Sequence, residues 1–328
     1  MRAMRAEAFT GYSELKLVEV AKPVRTEGRV LVRLTAAGVS PLDHTILSGG
    51  FPFAKAPLIL GNEGAGIVEE PGGSGFAIGA RVMFFGPYGA FEDGTYGEWI
   101  AARPEDLCLI PENLDDATAG GVPVAYLTAQ CTLMLAGFEP GKSVLGPAIG
   151  GAVGNAVTQL ARAQGAKFAI STTSSTAKAE QAKTLGYENV IDLSREGLAD
   201  GVKRITGGQG VDIVVESVGG SLTGQALSAL ALNGTLITLG YSAGRSATID
   251  LTDVIWKRAH MRGFSLFAQP AAKIAEAWNR IVPLLASQSV KPVLESTYPL
   301  EEAAEALRHL IEDRPFGRVV LRHKLQAA

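Results

Sequence analysis

The residues best suited to chemistry form the stretch Ala148-Ile149-Gly150-Gly151-Ala152-Val153-Gly154. Gly151 and Gly154 carry no side chain, so backbone N–H groups of this stretch can approach a pyrophosphate. The N-terminus of a following helix adds the positive end of its dipole. The spacing is A-x-x-G-x-x-G rather than G-x-G-x-x-G, and a glycine pattern alone is weak evidence. Its surroundings strengthen it. Lys142-Ser143-Val144-Leu145 precedes it as a short apolar strand. Val153, Ala156, Val157, Leu160 and Ala161 follow at helical spacing, and Lys167-Phe168-Ala169-Ile170 makes a second strand. The site residues read from this turn are Ala148, Gly151, Ala152, Val153 and Gly154.

The end of the second strand bears on which dinucleotide binds. An NAD site usually places an Asp or Glu about 20 residues past the glycines, where it bonds the ribose 2′-OH. Here the segment Ser171-Thr172-Thr173-Ser174-Ser175-Thr176-Ala177-Lys178 has no carboxylate and one cation. Hydroxyls with a lysine suit a 2′-phosphate, so the expected cofactor is NADPH, held by Ser171, Ser174, Ser175 and Lys178. Some of these hydroxyls also suit the N-cap of the next helix.

The elements that must position these residues fall into two kinds. From 1 to about 120 the chain reads as short strands punctuated by Gly and Pro, an irregular barrel-like unit. From about 117 to 263, strands near 142–146, 167–172, 189–192, 211–216 and 234–239 alternate with helices near 152–164, 176–185, 195–206 and 221–232. That alternation implies a doubly wound parallel sheet. Ligands bind at the carboxyl ends of such strands. Ser217 and Val218 after the fourth strand, and Leu239, Gly240 and Tyr241 at the end of the fifth, are therefore expected at the cofactor. Helices Ala271–Ala286 and Glu301–Glu312 and a closing strand Arg318–Leu321 follow. The 328 residues carry 30 basic and 33 acidic side chains, net −3, which implies no general attraction to nucleic acid or anionic membrane. Ser143–Ala161 is uncharged, but its glycines, Pro147, Asn155 and Gln159 fit a strand, turn and buried helix better than a membrane span. Two cysteines, Cys108 and Cys131, make no disulfide framework and suit a cytoplasmic setting.

Several motifs stand in order along the chain: Ala37-Gly38-Val39-Ser40-Pro41-Leu42-Asp43, Gly61-Asn62-Glu63-Gly64-Ala65-Gly66, Asp93-Gly94-Thr95-Tyr96-Gly97-Glu98 and Pro123-Val124-Ala125-Tyr126-Leu127-Thr128-Ala129. The glycine turn, Glu216-Ser217-Val218-Gly219 and Gly317-Arg318-Val319-Val320-Leu321 complete the set. Together, in this order and spacing, they resemble the medium-chain dehydrogenase/reductase superfamily, in its zinc-independent NADPH:quinone oxidoreductase branch. The resemblance covers essentially the whole chain. It implies a Rossmann doubly wound domain inserted in a GroES-like, mostly β catalytic domain. The expected boundaries are 1–122 and 265–328 for the catalytic domain and 123–264 for the Rossmann domain, with the active site in the cleft between them. It implies a homodimer paired near Ala259–Phe267. It places Thr128 beside the nicotinamide, Gly240 and Tyr241 at the ring, and Phe264, Leu266 and Phe267 nearby. Ser40 stands where relatives often carry an Asn near the substrate, so its hydroxyl is expected at the substrate carbonyl.

Zinc-dependent relatives use a Cys and a His at the places held here by Ser40 and Asn62, neither a good zinc ligand. No metal is therefore expected. The expected reaction is hydride transfer from NADPH to an acceptor that is already electrophilic, a quinone or α,β-unsaturated carbonyl. His44 is either a proton donor or a polar residue bonding backbone. Phe51, Phe53, Phe84, Phe85 and Tyr88 either line a substrate mouth or belong to the core. Two alternatives stand beside this reading. One is an enoyl-thioester reductase, weakened because no phenol lies between Tyr12 and Tyr88. The other is a non-enzymatic, crystallin-like NADPH-binding protein.

Overall fold

The computed structural model describes residues 1–323. The chain forms two compact units. Among these residues, one comprises Met1–Val124 and 292–323; the other is Ala125–Lys291.

The second unit is built on a six-stranded parallel sheet. Its order is Val190–Asp192, Phe168–Thr173, Ser143–Gly146, Val211–Glu216, Leu230–Thr238, His260–Gly263. Counted along this unit, that is 3-2-1-4-5-6, the doubly wound order that opens a crevice where strand direction of progress reverses. The apolar runs become strands because they are buried on both faces. Leu145, Ile170, Ile191, Val214 and Leu236 pack with Leu198 and Val202 of one helix and Ala226 and Leu227 of another. Burying each such Leu, Ile or Val stabilises the fold by roughly 1.5–3 kcal/mol.

Two expectations about this unit are corrected. The helix expected over 221–232 stops at Ser228, and a strand begins at Leu230. Leu230 pairs with Val211, and the register then shifts before Thr235 pairs with Ile213. Asn233, at φ 61°, stands in the left-handed region where this irregularity falls. The chain also returns to the first unit later than 265. Helix Ala271–Ala286 buries Ile274, Ala277, Trp278, Ile281 and Leu285 within the second unit. Gln159 clasps Lys291 on both sides: the Lys291 N–H donates to Oε1 at 2.7 Å, and Nε2 donates to the Lys291 carbonyl at 2.9 Å.

The first unit holds a three-stranded antiparallel sheet (Leu15–Glu19, Arg2–Ala6, Leu58–Ile59) and a seven-stranded sheet. In the latter, Val30–Gly38 and Glu63–Glu70 pair antiparallel, with Ala37 opposite Gly64. That register carries Ser40 and Asn62 out of the same end of the pair. A Cβ on Gly38 would lie 2.5 Å from Glu63 Oε1, so only glycine fits there. No helix among the described residues is long and apolar enough to cross a membrane.

Candidate functional site: a dinucleotide cradle and a buried polar hub

The glycine turn has the geometry of a phosphate cradle. Ala148 sits in the left-handed region at φ 65°. Its N–H donates to Thr172 Oγ1 at 3.1 Å, and the Ile149 N–H donates to the Thr172 carbonyl at 2.8 Å. Gly151 is the N-cap of helix Ala152–Ala163 and no side chain caps it. The first-turn N–H groups of Ala152, Val153 and Gly154 are thus left for an anion. A Cβ on Gly154 would overlap the carbonyl oxygens of Pro147 and Ala148. Gly154 is what lets the helix close onto the turn. These residues fit the pyrophosphate of a dinucleotide.

At the end of the second strand, one expected ligand is overturned. Ser171 is fully buried, and its hydroxyl donates to the Gly146 carbonyl at 2.5 Å. It braces two strands and faces no ribose. The edge is formed instead by exposed Ser174 and half-buried Ser175, which leads helix Thr176–Thr184 without a side-chain cap bond. Lys178 lies in the first turn of that helix. Two residues missed in the sequence adjoin it. Thr176 Oγ1 donates to Asp192 Oδ2 at 2.6 Å, and Arg195 Nε donates to Thr176 Oγ1 at 3.2 Å. The Ser194 and Thr176 hydroxyls hold the Asp192 carboxyl below its ordinary range. Asp192 ends the third strand of the sheet, so the same carboxyl-edge rule could have found this pair.

The loops after the fourth and fifth strands are tied to one another. Fully buried Glu216 accepts the Val218 N–H at 2.6 Å and the Gly219 N–H at 2.8 Å through Oε1, and the Thr223 hydroxyl at 2.9 Å through Oε2. The Val218 carbonyl accepts the Ala243 N–H at 2.7 Å. The Val218 backbone is therefore occupied within the chain. A Cβ on Gly240 would overlap the Ser217 carbonyl. Leu239, Gly240, Tyr241 and Phe264 come together in one open pocket of about 520 Å³, with Gly219, Gly220 and Met261. Leu266, in the short helix Leu266–Ala268, and Thr128, 5% exposed on helix Pro123–Leu135, are not among its lining residues.

In the first unit, Ser40, Asp43, Gly61 and Tyr96 meet in a buried hub. The Ser40 N–H and hydroxyl donate to Asp43 Oδ2 at 2.8 and 2.9 Å. The Tyr96 hydroxyl donates to the same oxygen at 3.1 Å, and the Gly61 N–H donates to Oδ1 at 3.1 Å. Burial pushes the Asp43 carboxyl up, against the pull of these donors. Ser40 is 2% exposed and its proton is directed at Asp43, which corrects the expectation that it serves a substrate carbonyl. The S-x-x-D spacing at the start of helix Pro41–Leu47 is a capping-box signal that could have shown this. His44 points elsewhere: its Nδ1 is 2.9 Å from the Tyr12 hydroxyl, and Nε2 is 3.5 Å from Ser48 Oγ. The structure does not bring it to Ser40. Glu63 is fully buried, paired with Arg318, and accepts the Val124 N–H at 2.7 Å. Between Gly61 and Glu63, Asn62 is 3% exposed and its Oδ1 has no hydrogen-bond partner among the described residues. Phe84, Phe85 and Tyr88 are core residues, whereas Phe51, Phe53 and Phe91 form a partly exposed edge-to-face cluster.

These donors do not suit zinc. The Ser40 hydroxyl is committed to Asp43, the Glu63 carboxylate to Arg318 and Val124, and Asn62 offers only an amide. Among the described residues no group of three or more His, Cys, Asp or Glu is gathered as a metal site requires.

A glycine cradle on a doubly wound sheet, in a chain that also holds a β-rich unit, points to the class of dinucleotide-dependent oxidoreductases. Residues 26–112 match the alcohol dehydrogenase GroES-like domain model, and residues 152–287 match the zinc-binding dehydrogenase model. The chain is 31% identical to the quinone oxidoreductase of Rattus norvegicus, over 98% of this chain and 97% of that one. It is also 31% identical to the 2-haloacrylate reductase of a Burkholderia species, over 90% of each. Among solved structures, a quinone oxidoreductase of Pseudomonas syringae superposes with TM-score 0.85 at 28% identity, over 98% of this chain and 99% of that one. A mycobacterial protein solved with NADPH superposes with TM-score 0.86 at 27% identity, over 98% and 100%. The chain belongs to the medium-chain dehydrogenase/reductase superfamily, in its quinone oxidoreductase branch, and is an oxidoreductase.

Proposed function

We propose that the protein is an NADPH-dependent, zinc-free reductase of quinones or α,β-unsaturated carbonyls. The observation that carries the NADPH assignment is the edge after the second strand. Ser174 and Ser175 stand there with no carboxylate of their own segment, Lys178 follows in the first helical turn, and Arg195 reaches Thr176 from the next strand's end. Asp192, the nearby acid, is occupied by Thr176, Ser194 and Arg195. That arrangement suits a 2′-phosphate, and guanidinium and ammonium groups bond phosphate oxygens with charge assistance.

The dinucleotide, when bound, supplies a hydride to the acceptor. The chain's own residues do the rest. Ala152, Val153 and Gly154 offer N–H groups to the pyrophosphate. Glu216 fixes the loop at Val218 and Gly219, and through Ser217 and Gly240 this loop is locked to the next. Leu239, Gly240, Tyr241 and Phe264 provide a largely apolar wall, with Thr128 and Leu266 proposed to contribute beyond it. A quinone takes its protons on oxygen, which water can supply, so the reaction does not depend on a buried acid. Tyr96, fully buried on Asp43, is unavailable for the protonation on carbon that an enoyl thioester needs.

The test is NADPH consumption at 340 nm with 1,4-benzoquinone, 9,10-phenanthrenequinone, an alkenal and crotonyl-CoA, repeated with NADH and with a chelator. Chelator-resistant turnover of quinones or the alkenal, with NADPH preferred, is expected. Turnover of crotonyl-CoA alone would replace this reading with an enoyl-thioester reductase. Tight NADPH binding without turnover would favour a binding protein.

A further inference from the structure

We infer that Arg245 anchors an anionic group on the acceptor, so that the preferred substrates are quinones or α,β-unsaturated carbonyls that carry a carboxylate or sulfonate. The inference rests on the reductase reading above and narrows it. Every residue it uses belongs to the Ala125–Lys291 unit. The open pocket of about 520 Å³ in that unit has the size of a small-molecule site. It is lined by Thr238 at the end of the fifth strand and by Gly219 and Gly220 after the fourth, the edge at which a doubly wound sheet takes ligands. Three observations single out Arg245. It is the one charged side chain among the residues lining the pocket. Its guanidinium makes no ion pair or hydrogen bond among the described residues. It lies instead over the Tyr241 ring, 5.6 Å from the centroid. Stacking of this kind steadies the planar fork and leaves its N–H edge able to donate.

The loop that carries Arg245 is fixed before any ligand arrives. The Gly220 N–H donates to the Gly244 carbonyl at 3.0 Å, and the Gly244 N–H donates to the Tyr241 carbonyl at 3.1 Å. A Cβ on Gly219 would fall 2.5 Å from the Gly244 carbonyl oxygen, so the two loops meet with no room for a side chain. Arg245 follows this clasp directly. Two acids flank these loops in the chain, and both are engaged. Glu216 accepts from Val218, Gly219 and Thr223, and Asp250 accepts the N–H and hydroxyl of Thr252. The cation therefore faces the pocket without a counter-charge from its own loops. Carboxylate and sulfonate oxygens accept paired, charge-assisted bonds from a guanidinium. The Ser246 hydroxyl, next in the lining and bonded to nothing among the described residues, is a second donor. The apolar side chains of Leu239, Tyr241 and Phe264 suit the flat conjugated part of the same molecule. The anionic group takes no part in hydride transfer; it sets which acceptors bind.

The experiment compares the full-length protein with Arg245→Leu and Arg245→Lys. It reads NADPH-driven turnover of 1,4-naphthoquinone and of 1,4-naphthoquinone-2-sulfonate at low and high salt, the KM for NADPH and NADH, and calorimetric binding of the redox-inert naphthalene-2-sulfonate. For Arg245→Leu the expected result is a loss in kcat/KM on the order of tenfold for the sulfonated quinone, in keeping with removal of charged hydrogen bonds. Turnover of the neutral quinone should stay within about threefold, and Arg245→Lys, which keeps the charge without the fork, should fall between. Added salt should shrink the parent's preference for the sulfonate, because the guanidinium is exposed. An equal change for both quinones would overturn the role of Arg245 and leave the reductase reading standing. So would a raised KM for both dinucleotides with the acceptor preference intact, which would assign Arg245 to a phosphate of the cofactor. A parent that reduces no quinone but binds naphthalene-2-sulfonate, and loses it on Arg245→Leu, would overturn the reductase reading and keep the anion site. A parent that neither reduces quinones nor binds the sulfonate would overturn both.

Discussion

Gly154 shows how far a single residue type can be read. The sequence suggests it for the approach of backbone N–H groups to a pyrophosphate, and the structure adds a different need, since any Cβ there would overlap the Pro147 and Ala148 carbonyls as the helix closes onto the turn. The obstruction is backbone, so no rotamer relieves it. Gly154→Ala is expected to destabilise by roughly 1–3 kcal/mol, in line with overpacking, and to weaken NADPH binding; thermal unfolding and fluorescence titration check both. Hydroxyls were less legible. Ser171 and Ser40 have the right chemistry at the right places, yet each found a nearer acceptor, the Gly146 carbonyl and the Asp43 carboxylate. A sequence names a donor but does not say which acceptor the fold puts in reach. His323 permits a prediction with a definite sign. Burial lowers its pKa from 6.5 to about 4. Between those values the unfolded chain binds a proton that the native state refuses, so stability falls as the solution is acidified. The loss attributable to this group reaches about 3 kcal/mol by pH 4. His323→Gln should flatten the acid limb of a stability profile from pH 7 to 4 and leave the alkaline side unchanged; denaturant titrations across that range measure it.

At the scale of elements, the strand end Thr173 and the helix Thr176–Thr184 act together with Asp192 and Arg195. Lys178 could be proposed from the sequence because it follows the hydroxyls there. Arg195 was not, because it arrives from the next strand and only sheet order brings it to Thr176. Lys178→Ala and Arg195→Ala are each expected to raise the KM for NADPH on the order of tenfold, in keeping with loss of a charged hydrogen bond, with little change for NADH. Paired steady-state runs with the two cofactors decide this, and an equal effect on both would reject the 2′-phosphate assignment. Helix Ala271–Ala286 was legible to the residue, since burial of one face writes a repeat into the sequence, whereas the helix after the fourth strand was read four residues too long. The strand Leu58–Ile59 has too few residues to write one.

At the scale of the whole molecule, the two-unit plan was legible in the change from strand-rich to alternating pattern near residue 120. The return point was not, because helix Ala271–Ala286 is amphipathic whichever unit it joins, and the Gln159–Lys291 clasp that decides the matter pairs residues remote in sequence. One edge of the second unit bears on assembly. Strand His260–Gly263 is exposed along its length, and Leu251, Ile255, Trp256 and Met261 around it are 66, 66, 75 and 48% exposed. An unpaired edge with an apolar border invites a partner, and we propose pairing with a second copy. Sedimentation at micromolar concentration should give twice the chain mass for the parent and a single chain mass for the double variant Ile255→Asp with Trp256→Asp.

The buried pair of Glu63 with Arg318 also constrains how the protein is made. A carboxylate fully enclosed in the first unit has its partner in a strand that leaves the ribosome only after the entire second unit. An unpaired buried charge costs several kcal/mol, so the first unit cannot close around Glu63 during early synthesis. The Ala125–Lys291 unit, continuous in sequence, can fold as it emerges. The strand Arg318–Arg322 then inserts beside Val30–Gly38 and joins a sheet begun before the second unit was made. Protease challenge of stalled nascent chains should show the second unit protected before the first.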